Sequence, residues 1–425
     1  MNYRAALYSL LLLVTIVFHS NGQQPVLSED QMLSGATVLA FGPEHVLFIG
    51  NSKEAKIYAV KTEAVALNEP IPFNLEGFDS YISKQLDLTP RDVIVMDMKI
   101  HPVSQEAYVA IRLGYQPDAK YVISIVHPAT RDIRFLSIDE SSTTSITINN
   151  PASSEVVFWN ETPANALTIT DIDYHQGHVY VAGLTNGDFA SNIRKIEYPF
   201  NETQEAVKGI EVYHAVHTQN ETRAPIRTML FEELNGVSTL IASYTCTPLV
   251  TIPTAEIRAG ASITGKTIAE LGYGNTPVDM LVVTTRGFDG SMAKSLLVTH
   301  KNRGGSMIPI GSVARGAQGD GMAGQRAMFA SGLEGIQQIP TANVMHVDVQ
   351  NQQMLAMVRR NIETGDVDLI SELTGTFLRL SDFISEYDFP DYQYPESQAP
   401  VKQYHDMVKQ MEGYPDLTSE KMGRN

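Results

Sequence analysis

The chain has one cysteine and one tryptophan in 425 residues. A single cysteine excludes an internal disulfide, so the fold must be held by its apolar core. Cys246 itself reads as a small packed hydrophobe rather than a reactive thiol. Long apolar runs are equally scarce. The one at the start, Ala5 to Phe18, is shorter than the ~20 residues a membrane-spanning helix needs, and no later segment reaches that length. Positive charge is also in short supply: 31 Lys and Arg face 48 Asp and Glu, a formal net charge of −17. Such a chain is repelled by nucleic acid and by anionic membrane surfaces. It suits a cation or a positively charged partner, and the same charge serves ordinary solubility.

Several catalytic signatures are missing as well. No Gly-x-Ser-x-Gly elbow, His-Glu-x-x-His pair, Cys-x-x-Cys-His haem site or dinucleotide fingerprint occurs. The sequence therefore speaks more clearly of architecture and address than of activity.

Arg4, the apolar run to Phe18, and the small or polar residues Ser20-Asn21-Gly22 form a secretory signal peptide cleaved near Gly22. The expected organisation is a signal peptide over 1–22, a β-domain over 23–375 and a tail over 376–425. The mature protein is expected to be secreted or periplasmic and monomeric. Asn160, Asn201 and Asn220 open N-x-T sequons, which mark surface loops in a glycosylating host.

Short β-branched runs separated by turn residues dominate what remains. They recur as meanders over 37–60, 93–126, 167–198, 225–245, 277–302 and 333–373. Antiparallel meanders repeated at roughly 45 to 70 residues signal an all-β, six-bladed β-propeller, one sheet per blade. A β-sandwich or a pair of small β-domains is the alternative, and sixfold recurrence disfavours it. After Thr374 the texture changes to Tyr, Pro and acid, ending in one short amphipathic stretch over 404–414. That tail either packs on the propeller or is a recognition segment.

The stretch from Gly319 to Gly375 resembles an NHL repeat through Gly319-Asp320-Gly321, Ala327, Phe329, Gly335-Ile336, Val347-Asp348, Asn351 and Thr364-Gly365. It departs where Ser331 to Glu334 replaces the usual proline and where Met354 to Met357 lacks the frequent arginine. The opening blade, 39–60, looks like blades of regucalcin and gluconolactonase-type propellers. On this resemblance the Gly-Asp-Gly loop leads into an innermost strand. It is no phosphate cradle, because no helix N-terminus follows it.

In a propeller the innermost strands line a central channel whose mouth carries function. Aligning the expected inner strands sets Asp97, Asp171, Asp279 and Glu334 at one level, with Arg227 close to it. Converging carboxylates bind Ca²⁺ or another divalent cation, or act as general acid and base. The resemblance to gluconolactonase-type enzymes implies a metal that polarises an ester carbonyl, with Asp97, Asp171, Asp279 and Glu334 as ligands or base. Asp279 and Arg227 would then be the catalytic pair, Arg227 orienting an anionic group. The competing reading is structural: each Asp accepts backbone amides and pins neighbouring blades. His101 and His175 fall in the turns after their strands, roughly 13 Å from Asp97 and Asp171 at 3.3 Å per residue, and read as turn residues. His300 reads as able to point toward the channel mouth. Met96, Met98, Met345, Met354 and Met357 occupy apolar strand positions and read as core. The expected function is binding of a small molecule or protein ligand at the channel mouth. The alternative is a metal-dependent lactonase or esterase.

Overall fold

A computed structural model describes residues 27–374 apart from 68, 140 and 287–290. The expected signal peptide and the tail after 375 lie outside the described residues. Between Val38 and Leu373 the described residues form six sheets, antiparallel except for one parallel pair in blade 4, arranged as a six-bladed β-propeller.

Each blade presents one inner strand to the channel. In chain order these are Val38–Phe41, Val93–Ile100, Asp171–His175, Ile226–Leu234, Pro277–Arg286 and Val344–Val349. The second strands read as unbroken apolar runs because both their faces are covered by adjacent blades. Val46–Asn51 of blade 1 is buried throughout. Inner strands alternate instead, as in Val93–Ile100, because one side faces the channel. Tight hairpins join them where the turn chemistry allows. Asn235 (φ 51°) and Gly236 (φ 79°) link paired Leu234 and Val237, the two positive φ values that a type I′ loop requires.

The order of blades around the ring is not the order of the chain. The inner strand of blade 1 lies beside those of blades 2 and 3, and blade 2 closes onto blade 6, giving the circle 2-1-3-4-5-6. After Lys56–Lys61 the chain lays Asn74–Leu75 on the outer edge of blade 6. It then turns through helix α1 (Phe78–Leu86), builds blade 2 in the gap, and returns to give blade 1 its outer strand Thr143–Thr147. Phe73, Leu75, Phe78 and Ile82 pack in one core with Val93 and Val109 of blade 2 and Ala356 and Val358 of blade 6. An early segment thus completes the last blade, and this covers a sheet edge that would otherwise stay open.

One reading of the sequence needs correction. A second helix, α2 (Ile310–Gln318), precedes Gly319-Asp320-Gly321, so that loop follows a helix end. It leads to Gln337–Ile339, the outermost strand of blade 5, and the inner strand of blade 6 begins only at Val344. The turns at Asn351 and Thr364-Gly365 do fall between strands, as the repeat pattern implies. Met98, Met354 and Met357 are buried; Met345 packs against the core that holds Met98, and Met96 against the core between blades 1 and 2.

Candidate functional site

The channel-facing side chains are aimed by irregularities in the inner strands. Pairing with the second strand slips between Val95 and Asp97, Ile226 and Thr228, Pro277 and Met280, and Val344 and His346. A bulge inserts a residue and re-aims its neighbours. It is at or beside these slips that Asp97, Arg227, Asp279 and His346 stand.

Asp97 and Asp279 are buried and converge on His346. His346 Nδ1 is 3.2 Å from Asp279 Oδ2 and 3.5 Å from Asp97 Oδ1. One ligand atom from each of the three lies within 4.8 Å of the others, an arrangement able to hold a metal ion. Lys99 enters from the same strand as Asp97, with Nζ 3.7 Å from Asp279 Oδ1. Burial works against its charge, yet Asp279, Asp97, Asp348 and Asp171 together hold its pKa well above the ordinary lysine value. Burial works to raise the Asp279 pKa, but Lys99 and His346 reverse this and keep its carboxyl low. Asp97 is pushed up, chiefly by burial.

The acids also bind backbone. Leu39 N donates to Asp97 Oδ2 at 2.6 Å, Met229 N to Asp171 Oδ2 at 2.6 Å, Val347 N to Asp279 Oδ2 at 3.0 Å and Ile100 N to Asp348 Oδ2 at 2.7 Å. Each bond crosses from one blade to the next, linking 2 to 1, 3 to 4, 5 to 6 and 6 to 2. The pinning role weighed for these residues is therefore present, and it uses oxygens that a metal would otherwise take.

At the Lys99 end the channel opens into a cavity of about 370 Å³, walled by Phe41 and Phe231 and by Lys99, Asp171, Asp173 and Asp348. Burial raises Asp171 to about 8 and Asp173 to about 6. Arg227 is half-buried, its Nε has no hydrogen-bond partner, and burial lowers its pKa against the pull of Asp171.

Glu334 does not join this group. It is exposed, in the loop before the outermost strand of blade 5, because the true inner strand of blade 6 starts ten residues later, at Val344. His101 stands in the turn as expected, its Nδ1 accepting Val103 N and Ser104 N at 3.1 Å, whereas His175 ends the inner strand itself, paired with His178 and stacked on Phe231 at 4.5 Å. His300 is buried 3.3 Å from Ser306 Oγ and does not line the cavity. Lys99, Asp173, His346 and Asp348 were missed. Their signal was the two-residue period: Asp97-Met98-Lys99, Asp171-Ile172-Asp173 and His346-Val347-Asp348 each put two polar groups on one side of an inner strand.

No family model and no curated protein matches the chain. Solved structures of similar shape include the PQQ-bound aldose sugar dehydrogenase of Streptomyces coelicolor, at 11% identity over 80% of this chain and 94% of that one, TM-score 0.30. A glucose-dehydrogenase-type oxidoreductase of Thermus thermophilus matches at 10% identity over 80% of this chain and 96% of that one, TM-score 0.33. A protein described as a 6-phosphogluconolactonase of Bacteroides uniformis matches at 10% identity over 80% of each chain, TM-score 0.28. At these TM-scores no residue of a neighbour can be set on a residue of this chain.

Proposed function

We propose that the chain is an exported binding propeller that takes a small organic cation, an ammonium group on an apolar body, in the cavity at the Lys99 end of the channel. The carrying observation is the charge balance of that channel. Five acids (Asp97, Asp171, Asp173, Asp279 and Asp348) face three bases (Lys99, Arg227 and His346). Fully ionised, this leaves 3 − 5 = −2, beside the aromatic walls of Phe41 and Phe231. A cation balances the deficit, and aromatic faces favour it further. The volume lies within the range of small-molecule sites. Lys99 already has four carboxylates, so an anionic ligand gains little from it.

The sign of the pH dependence follows from Asp173 near 6 and Asp171 near 8. Below both values the two carboxyls are protonated and the deficit vanishes; above both it is complete. Lys99, Asp348 and Glu232 line the same cavity, Glu232 paired with Lys294 at 2.8 Å, and Arg227 and Asp97 act on Asp171 from outside its lining. Calorimetric titration with primary amines and with matched neutral and anionic analogues is expected to show binding of the amines alone. Affinity is expected to rise about tenfold or more from pH 5.5 to 8, since each such step is about 1.4 kcal/mol, and Asp171→Asn with Asp173→Asn is expected to remove the rise. Equal binding of neutral or anionic analogues sinks the reading.

A metal-dependent lactonase or esterase is the second reading, favoured by the closeness of Asp97, Asp279 and His346. The Lys99 ammonium competes for that place, so Ca²⁺ is expected to leave the melting temperature unchanged. A rise with Ca²⁺, abolished by Asp279→Asn, together with lactone hydrolysis, would restore the enzyme.

A further inference from the structure

A second cluster lies away from the channel, at the outer part of blade 4. The fourth strand of that blade, Ser262–Glu270, pairs in parallel with Gly209–His214, which turns back through Gln219–Glu221. Parallel pairing brings the ends of the two strands, His214 and Glu270, to the same edge. Pro248 pairs with Glu270, so the turn before it, carrying Cys246, reaches that edge too. His217 sits in the turn after His214. The only cysteine of the chain thus meets two of its eleven histidines. Ligand atoms of His214, His217 and Cys246 lie within 4.8 Å of one another. The packed-hydrophobe reading of Cys246 is corrected accordingly: it is half-buried, in a left-handed backbone conformation (φ 70°), beside two imidazoles.

The surroundings look unfinished without an ion. His214 is 1% exposed, yet neither ring nitrogen makes an aligned hydrogen bond. Its Nδ1 is 3.1 Å from a Glu221 oxygen and its Nε2 is 3.8 Å from Glu270 Oε2. Glu270 is fully buried, and that same Oε2 has no hydrogen-bond partner, while Thr247 Oγ1 donates to its Oε1 at 3.1 Å. Glu221 also meets His217 Nδ1. Buried polar groups are rarely left in this state. Carboxylates on the far edges of ligating histidines are the usual outer partners of a metal site.

We propose that His214, His217 and Cys246 form a Zn²⁺ site, with Glu221 and Glu270 holding the imidazoles or completing the shell. Two imidazoles and a thiolate are the ligand chemistry of a borderline-soft ion, whereas Ca²⁺ and Mg²⁺ take oxygen. Bond lengths of 2.0–2.3 Å put tetrahedral ligand atoms about 3.5 Å apart, a closure that side-chain adjustment supplies. The bound ion would tie the 209–221 hairpin to the turn after Tyr244.

Cobalt substitution tests this on the full-length protein, reduced and freed of metal by EDTA. Titration with Co²⁺ is expected to give one ion per chain and a thiolate-to-cobalt charge-transfer band in the near ultraviolet, which Zn²⁺ abolishes by displacement. Cys246→Ser should lose the band. His217→Ala, at an exposed turn, should keep the fold and weaken Zn²⁺ binding about tenfold or more. Absence of the band, or unchanged Zn²⁺ affinity in His217→Ala, overturns the proposal. The thiolate band separates this site from any ion held by the channel carboxylates.

Discussion

Lys99→Met is expected to destabilise the protein by about 3–5 kcal/mol, the cost of leaving buried charge without its counter-ion. The ammonium lies 3.7 Å from Asp279, and it offsets Asp97, Asp171 and Asp348 as well. These acids belong to four blades, so their mutual repulsion acts on the ring itself. The loss should grow with pH. Without Lys99 the folded-state pKa values of Asp97, Asp171 and Asp348 rise further above those of the unfolded chain, and Asp279 loses the ammonium that holds it low. Over that interval the folded state binds more protons, and stability falls as pH rises. Urea midpoints at pH 5.5 and 8, for the natural chain and the variant, measure this. A loss under about 1 kcal/mol at pH 8, or one equal at both pH values, would mean that Lys99 is not the central counter-ion.

Phe48→Ala is expected to cost about 3–5 kcal/mol as well, by a different mechanism. Phe48 is fully buried in the core shared by blades 1 and 3. Its ring meets Tyr198 edge-on at 5.0 Å and lies over Tyr174 at 6.2 Å, both from blade 3, with Phe200 at 6.0 Å. Alanine would leave a cavity whose walls are β-strands fixed by their own ladders, so collapse is limited. The prediction also tests the ring order, because a chain-ordered propeller would set blade 2 against this face. A midpoint shift worth less than about 1 kcal/mol, with unchanged slope, would show that blades 1 and 3 do not pack through Phe48.

Particular residues show where reading the sequence succeeded. The runs 46–51, 107–113 and 178–184 announced second strands because both faces of such strands are covered, whatever their neighbours. The inner-strand acids Asp97, Asp171 and Asp279 were legible because period-two alternation fixes which side of a strand a residue occupies. Glu334 failed because β-residues following a glycine loop fit an inner or an outer strand equally well, and only pairing with Gly305–Pro309 decides. Lys99 and His346 were in plain view, but a lysine two residues from an aspartate becomes its central partner only when other blades bring more acids to it.

The composition, the turn chemistry and the recurrence of short apolar meanders determined an all-β ring of six blades held without disulfides, since these depend on local propensity and on burial alone. The tertiary structure alone decided that blade 2 stands between blades 6 and 1, that Lys99 is the counter-ion of four carboxylates, and that Cys246 meets His214 and His217. Each of these joins segments far apart in the chain, and strand periodicity carries no information about which blade will lie beside which.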